Sequence, residues 1–320
     1  MSSYVLKSGM RVEKIFAVRK LETKTSKNGK PYLDIIFFDK NNEISAKLWD
    51  VNGLDTETLR KSLFLFVKGN IETYNASLQI RVEELMEANP TDEELDGLIE
   101  TAPVPPQRMF EKIIEVLTAL KNQPFRELGL AIYMDRQKEL LYFPAAKSFH
   151  HSMKSGLLYH TYSMLRAAAP LCSVYAFLNK DLLFAGVALH DIGKLVEMDS
   201  AEYGMVRSYT DEGRLLGHIT SGIVLIDRYA RGLGTPEREL LLLKHMILSH
   251  HGISEYGSPK PPMIAEAEAL NFLDMLDSRM NIFEKALSQT KAGEFSAKSA
   301  ALDQREIYSH SLGKEEPNDI

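Results

Sequence analysis

The sequence contains little that could cross-link the chain or anchor it to a membrane. Cys172 is the single cysteine among 320 residues, so no disulfide can form within the chain and a reducing compartment is expected. The start has no apolar segment typical of a secretory signal, and the longest apolar stretch, around 171–190, is too interrupted to span a bilayer. We therefore expect a cytoplasmic protein with no membrane partner.

Several familiar catalytic motifs are also missing. The sequence has no GxSxG nucleophile motif and no GxxxxGK[ST] phosphate loop, which excludes the corresponding hydrolase and nucleotide-binding chemistries. Cys172 lies in an apolar segment and is most simply a core residue. The formal net charge of −6 does not mark the whole chain as a nucleic-acid binder.

The first ninety residues have the pattern of β structure. Five short runs rich in β-branched and aromatic residues are separated by turn signals, which predicts a small barrel such as the OB-fold, with an SH3-like barrel as the weaker alternative. The predicted strands are 12–18, 32–38, 43–49, 63–71 and 76–82.

Beyond the barrel, the sequence predicts a connector and then helices. Residues 89–108 combine prolines with acids, and Thr91 with Glu94 predicts a capping box at a helix start. Apolar residues then follow the helical period from about 107 to 292. We predict a multidomain α+β protein: a five-stranded OB-fold barrel (1–88), a linker (89–108), an all-α bundle (109–308) and a disordered tail (309–320). Helices are predicted at 125–140, 156–175, 179–197, 215–231, 236–250 and 263–287.

Histidines and aspartates stand on several of the predicted apolar helices. Ionisable groups are costly to bury unless they are paired or bind a metal, so their recurrence suggests that a metal ion gathers them. The candidates are His160, the pair His190-Asp191, His218, the pair His250-His251, and Asp274. His245 is five residues from His250 and is interpreted as a histidine without a ligand role.

Two residues of this set are candidate catalytic groups. Asp191 has two oxygens and could bridge two metals, and Lys194 lies three residues further along, where it could hold a substrate phosphate. Gly193 would allow another group to approach closely. Asp277, one turn after Asp274, could orient a histidine.

The order H…HD…H…HH…D resembles that of the HD-domain metal-dependent phosphohydrolases, whose fold is an all-α bundle. Flanking residues carry the resemblance: Gly156-Leu157-Leu158-x-His160-Thr161 and His190-Asp191-Ile192-Gly193-Lys194. The resemblance implies one metal held by His160, His190, Asp191 and Asp274, and a second held by Asp191, His218, His250 and His251. Neutral imidazoles favour Mn²⁺, Fe, Co or Zn over Mg²⁺.

The predicted barrel contributes a candidate surface for a nucleic-acid strand. The segment 19–30, interpreted as the loop between the first two strands, has five basic residues and one acid, and aromatic residues follow it. Phe37 and Phe38 are adjacent on one strand and cannot both face inward. The candidate contacts are Arg19, Lys20, Lys24, Lys27, Lys30, Tyr32, Phe37, Trp49 and Tyr74.

An OB-fold followed by an HD domain, with AAKSFHHSMKSGLLYHTYSM between them, resembles the YhaM family of 3′→5′ exoribonucleases over roughly 5–310. The resemblance implies Mn²⁺-dependent attack by a metal-activated hydroxide on the 3′ end of single-stranded RNA, releasing nucleoside 5′-monophosphates. His150 and His151 would be candidates for substrate contact. The alternatives are an HD phosphohydrolase of small or cyclic nucleotides and a non-catalytic single-strand-binding protein; DNA as a further substrate and a homo-oligomer stay open.

Overall fold

The computed structural model describes residues 7–40, 43–75, 77–146, 153–200 and 203–312, without the side chains of Asp92 and Tyr256. The chain divides into two compact units, the first running to Thr101 and the second beginning at Ala102. His150, His151 and residues 313–320 of the predicted tail lie outside the described residues.

The first unit is a closed five-stranded barrel, which confirms the predicted OB-type architecture. Its strands follow the order β1-β2-β3-β5-β4 around the barrel, and every pairing is antiparallel except the parallel pairing of β3 with β5. The strands are β1 (Arg11–Thr25), β2 (Pro31–Phe38), β3 (Glu43–Leu48), β4 (Phe64–Tyr74) and β5 (Ser77–Glu87). A short helix that the sequence did not predict, α1 (Thr56–Lys61), precedes β4, and Asp55 caps its N-terminus.

Strand alternation decides which aromatic residue of β2 enters the barrel core. Leu33, Ile35 and Phe37 are fully buried on one face, and Phe37 stacks on Phe16 with ring centroids 5.3 Å apart. Burying such a side chain contributes about 1.5–3 kcal/mol, which fixes the register of the strand. The prediction that Phe37 contacts nucleic acid is therefore wrong, and it is Phe38 that faces outward.

The basic segment 19–30 is mostly strand rather than loop. β1 continues to Thr25 and pairs with β2 across a register shift between Val18 and Lys20, so the turn itself covers only residues 26–30. Gly29, with φ of 73°, closes this turn. The predicted loop begins too early because basic residues on an exposed strand face have the composition of a loop.

The second unit is helical, as predicted. The capping box of Thr91 and Glu94 is confirmed on a helix of the first unit, α2 (Asp92–Leu98), which lies inside the predicted linker. The helices of the second unit are α3 (Pro106–Thr118), α4 (Gln123–Asp135), α5 (Gln137–Leu140), α6 (Gly156–Val174), α7 (Lys180–Leu189), α8 (Lys194–Glu197), α9 (Asp211–Leu233), α10 (Glu237–Ser249) and α11 (Ala265–Ser288). None of the described helices has both the length and the apolar composition that a bilayer crossing requires.

Two details of this unit differ from the sequence prediction, and both shape the site. The helix predicted over 179–197 is broken at residues 190–193 into α7 and α8. A two-stranded sheet that was not predicted, β6 (Met198–Ser200) with β7 (Val206–Tyr209), then leads into α9. All residues from Leu182 to Leu189 are buried, so the turn that follows α7 begins in the interior of this unit.

Candidate metal centre and nucleic-acid surface

Four histidines from different elements converge on the carboxylate of Asp191. His160 comes from the first turns of α6, His190 from the end of α7, His218 from α9 and His250 from the end of α10. One oxygen, Oδ2, lies 4.0 Å from His160 Nε2 and 3.3 Å from His190 Nε2, while Oδ1 lies 3.6 Å from His218 Nε2 and 3.8 Å from His250 Nε2. Asp191 therefore has one oxygen facing each pair of imidazoles.

In each of these histidines, the other ring nitrogen donates a hydrogen bond to an oxygen. The acceptors are Asp277 Oδ2 for His160 (2.7 Å), Val187 O for His190 (2.9 Å), Glu197 Oε1 for His218 (3.2 Å) and Ile247 O for His250 (2.7 Å). Because the acceptors can only receive a proton, Nδ1 carries the hydrogen in each ring, and in the neutral rings of His190, His218 and His250 the lone pair of Nε2 faces Asp191. This is the arrangement that metal-binding histidines adopt.

The convergent atoms lack partners of their own. His190 Nε2, Asp191 Oδ1, His218 Nε2 and His250 Nε2 are buried and make no hydrogen bond within the described part of the chain. Leaving such groups unsatisfied costs about 1–3 kcal/mol each, so four of them in one place need an explanation. Divalent cations that accept nitrogen and carboxylate ligands would satisfy these atoms, and the residues therefore fit a metal site.

The ligand atoms form two groups, each with its donor atoms within 4.8 Å of one another. One group is His160, His190 and Asp191, and the other is His218, His250 and His251. All six residues belong to the predicted ligand set. The rings of His250 and His251 lie 4.1 Å apart, so the adjacent pair at the end of α10 can serve one pocket.

The two aspartates of α11 both approach His160. Asp274 Oδ1 lies 3.3 Å from His160 Nε2, and Asp277 bonds the opposite ring nitrogen. Burial alone would lower the pKa of His160, but its hydrogen bonds to the two carboxylates raise that pKa to about 10. Asp277 thus makes the hydrogen bond expected of a residue that orients a histidine ring, and Asp274 lies on the opposite side of the same ring.

Lys194 lies beside Asp191, as the sequence spacing indicated. Its Nζ donates to Asp191 Oδ2 at 2.6 Å. Burial opposes ionisation of Asp191, but the positive charge of Lys194 holds the pKa of this carboxyl well below its usual range. The surroundings of Asp191 therefore favour its ionised form.

Close backbone packing holds the turn that carries Asp191 against α9. A Cβ atom on Gly193 would lie 1.9 Å from the carbonyl oxygen of His218 and 2.5 Å from the amide nitrogen of Gly222. Only glycine permits this approach, which confirms the close contact expected at Gly193.

Sequence reasoning missed two supporting residues. Glu197 accepts a hydrogen bond from the ring of His218, and Asn271 Nδ2 donates to His250 O at 2.7 Å while packing against Gly252. Asn271 lies three residues before Asp274, so helical spacing could have identified it. Glu197 follows a helix break and left no periodic signal.

His245 has no place in either group of ligand atoms. Its Nε2 accepts a hydrogen bond from the backbone nitrogen of Met263 at 2.9 Å. His245 therefore has an ordinary hydrogen-bonded role, in keeping with its exclusion from the predicted ligands.

The barrel carries an aromatic cluster around a lysine. Tyr32 and Trp49 lie with ring centroids 4.7 Å apart, and Lys47 Nζ is 5.5–5.7 Å from the rings of Tyr32, Trp49 and Tyr74. Trp49 and Tyr74 are 46% and 58% exposed, so their faces are open to a ligand. Lys47 was missed, although it lies two residues before Trp49 and so shares its strand face.

The basic residues predicted to contact nucleic acid differ in whether an acidic side chain already pairs with them. Three are ion-paired within the barrel: Arg19 with Glu43, Lys20 with Glu22, and Lys24 with Asp34. Lys27 and Lys30 are exposed in the turn, and Lys30 lines a groove of about 530 Å³ beside Trp49.

Comparisons with known proteins agree with this geometry. A family model described as the HD domain matches residues 157–279, a range that contains all the candidate metal ligands. The chain is also 38% identical over 301 residues to a protein of Geobacillus sp. (strain WCH70) named 3′-5′ exoribonuclease YhaM, and the match covers 94% of this chain and 92% of that relative.

Proposed function

Because the chain belongs to the family of the 3′-5′ exoribonuclease YhaM, we propose that it hydrolyses RNA from the 3′ end at the cluster around Asp191. It is a metal-dependent hydrolase of the HD type. The observation that carries the assignment of the site is the set of three buried, unsatisfied imidazole nitrogens around one carboxylate whose Oδ1 is unsatisfied as well. No other cluster of three or more potential ligands occurs among the described residues beyond the two groups that this carboxylate joins.

We assign the ligand roles from the side chains that meet. His160, His190 and Asp191, with Asp274, would hold one divalent cation, and His218, His250 and His251 would hold another that shares Asp191. Cations bound here would polarise a phosphodiester and bring the pKa of a water molecule near neutrality. Four or more imidazole ligands favour a transition metal over Mg²⁺, and we propose Mn²⁺, the ion that the family resemblance implies, with Fe, Co and Zn as the other candidates.

Asp191 and Lys194 determine the charge at the centre of the site. Asp191 stays ionised and orders the imidazoles on both of its sides. Lys194 adds a positive charge at the same carboxylate, where it would offset the negative charge that develops on a phosphoryl group. We therefore assign Asp191 and Lys194 as the catalytic residues of the chain.

We propose that the aromatic cluster of the barrel holds single-stranded RNA. Trp49, Tyr32 and Tyr74 would stack on bases, since every base presents a ring face, and Lys47, Lys27 and Lys30 would contact phosphates. Arg19, Lys20 and Lys24 would have to exchange an acidic partner for a phosphate, so they contribute less. A hydrolase of free or cyclic nucleotides would have no use for such a surface.

A labelled single-stranded RNA tests this proposal. With Mn²⁺, a 5′-labelled RNA should shorten progressively from its 3′ end, and a 3′-labelled RNA should release labelled nucleoside 5′-monophosphate. Asp191→Asn should abolish both reactions, whereas Asp199→Asn, an exposed residue of β6, should leave them unchanged. Immediate release of a labelled mononucleotide from 5′-labelled RNA, or an active Asp191→Asn variant, would contradict the proposal.

A further inference from the structure

Glu197, the last residue of α8, makes two hydrogen bonds to a single candidate ligand. Its Oε1 accepts from the ring Nδ1 of His218 at 3.2 Å and from the backbone nitrogen of the same residue at 3.1 Å. The donor backbone follows Gly217, whose φ of 70° interrupts α9. Glu197 thus caps the point where α9 resumes, and it fixes the ring of His218 at the same time.

The backbone of Glu197 is held as firmly as its side chain. Its carbonyl oxygen accepts from Thr210 N at 3.0 Å, and a Cβ on Gly213 would lie 2.1 Å from that oxygen. One end of Glu197 is therefore tied to the first turn of α9, and the other end to the restart of the same helix. The Cα of Glu197 is therefore fixed in place, and its side chain reaches His218 from that fixed point.

The ring of His250, which belongs to the same group of candidate ligands, is oriented in a different way from the ring of His218. His250 donates to the backbone carbonyl of Ile247 one turn earlier, so its orientation is a property of α10 itself. The orientation of His218 depends on a side chain from another element. A negatively charged acceptor also makes the imidazole a stronger electron donor than a neutral carbonyl does.

We propose that Glu197 is a positioning residue that sets the cation affinity of the pocket formed by His218, His250 and His251. The ligand is a divalent transition-metal cation such as Mn²⁺, and the proposal rests on the metal centre described under the proposed function. Loss of the carboxylate leaves the His218 ring free to rotate and removes its charged partner. Outer-sphere partners of this kind typically account for about 10- to 100-fold in metal affinity.

Titration of the full-length, EDTA-treated protein with MnCl₂, counting free Mn²⁺ by electron paramagnetic resonance, tests this role. Glu197→Ala should weaken one class of Mn²⁺ site by about 10- to 100-fold and leave the other class unchanged. Glu197→Gln should show a smaller loss, because an amide oxygen can still accept both hydrogen bonds. The control is Glu212→Gln, an exposed position in the first turn of α9, which should bind Mn²⁺ as the wild type does.

The Mn²⁺ dependence of RNA hydrolysis distinguishes a misplaced His218 ring from a general structural defect. The Glu197 variants should need more Mn²⁺ for half-maximal rate and should regain most of the wild-type rate at saturation, whereas a structural defect would lower the rate at every concentration. Wild-type Mn²⁺ affinity in both Glu197→Ala and Glu197→Gln would overturn the proposal. If Glu197→Ala fails to fold, unchanged affinity in Glu197→Gln overturns it alone. A wild-type protein that binds no Mn²⁺ would instead overturn the metal centre itself.

Discussion

Gly193→Ala is a small change with a large expected effect on the metal centre. The added Cβ would meet two backbone atoms, at 1.9 Å on His218 and 2.5 Å on Gly222, and neither can rotate away. Since Cβ contacts below 3.0 Å essentially do not occur, the turn after α7 and helix α9 would have to separate by about 1 Å. Overpacking costs about 1–3 kcal/mol, and we expect the upper end because both contacts are with backbone.

Thermal denaturation with a parallel Mn²⁺ titration measures this effect. At about 2–4 °C per kcal/mol for a unit of this size, Gly193→Ala should lower the Tm by about 6–12 °C. It should also weaken Mn²⁺ binding, because Asp191 and His218 lie on opposite sides of the contact. Gly232→Ala on the same helix is the control: its Cβ meets nothing within 4 Å, so it should raise stability by up to about 1 kcal/mol. Wild-type Tm and Mn²⁺ affinity in Gly193→Ala would refute this reasoning.

Three further predictions follow from individual contacts. Asp277→Ala removes the acceptor that orients His160 and should weaken Mn²⁺ binding about 10- to 100-fold in the same titration; unchanged binding would contradict that role. Trp49→Ala should weaken single-stranded RNA binding by about 1–3 kcal/mol in a filter-binding assay, while Met86→Ala, also exposed on the barrel, should not. Burial lowers the pKa of His245 from about 6.5, so the stability that its neutral ring contributes is present above pH 6.5 and is lost as the pH falls. The difference in unfolding free energy between wild type and His245→Ala should therefore shrink from pH 8 to pH 5, and a constant difference would count against it.

The barrel shows which parts of a fold a sequence can predict. Periodicity located all five strands, because alternating burial leaves its pattern in the residues themselves. It did not settle which face was inward where both faces carried aromatic residues, so Phe37 was misassigned. It also placed the turn of 26–30 too early, since exposed basic residues on β1 look the same as loop residues.

The candidate metal centre shows a different limit of prediction from sequence. The candidate ligands could be predicted because ionisable groups on apolar helices are conspicuous in a sequence. Their mutual arrangement was not readable, because it depends on the break at 190–193, the kink at Gly217 and the contact of Gly193 with α9. Glu197 lies beyond the break at 190–193 and contacts His218 on another helix, so no spacing rule could have identified it.

The central claim is that Asp191 is the ligand shared by the cation-binding groups. Isothermal titration of the EDTA-treated protein with MnCl₂ tests it most directly, with Asp199→Asn as the matched control. The account predicts that the wild type and Asp199→Asn bind Mn²⁺ alike and that Asp191→Asn, folded by circular dichroism, loses tight binding at both groups. Undiminished Mn²⁺ binding by Asp191→Asn would contradict the account.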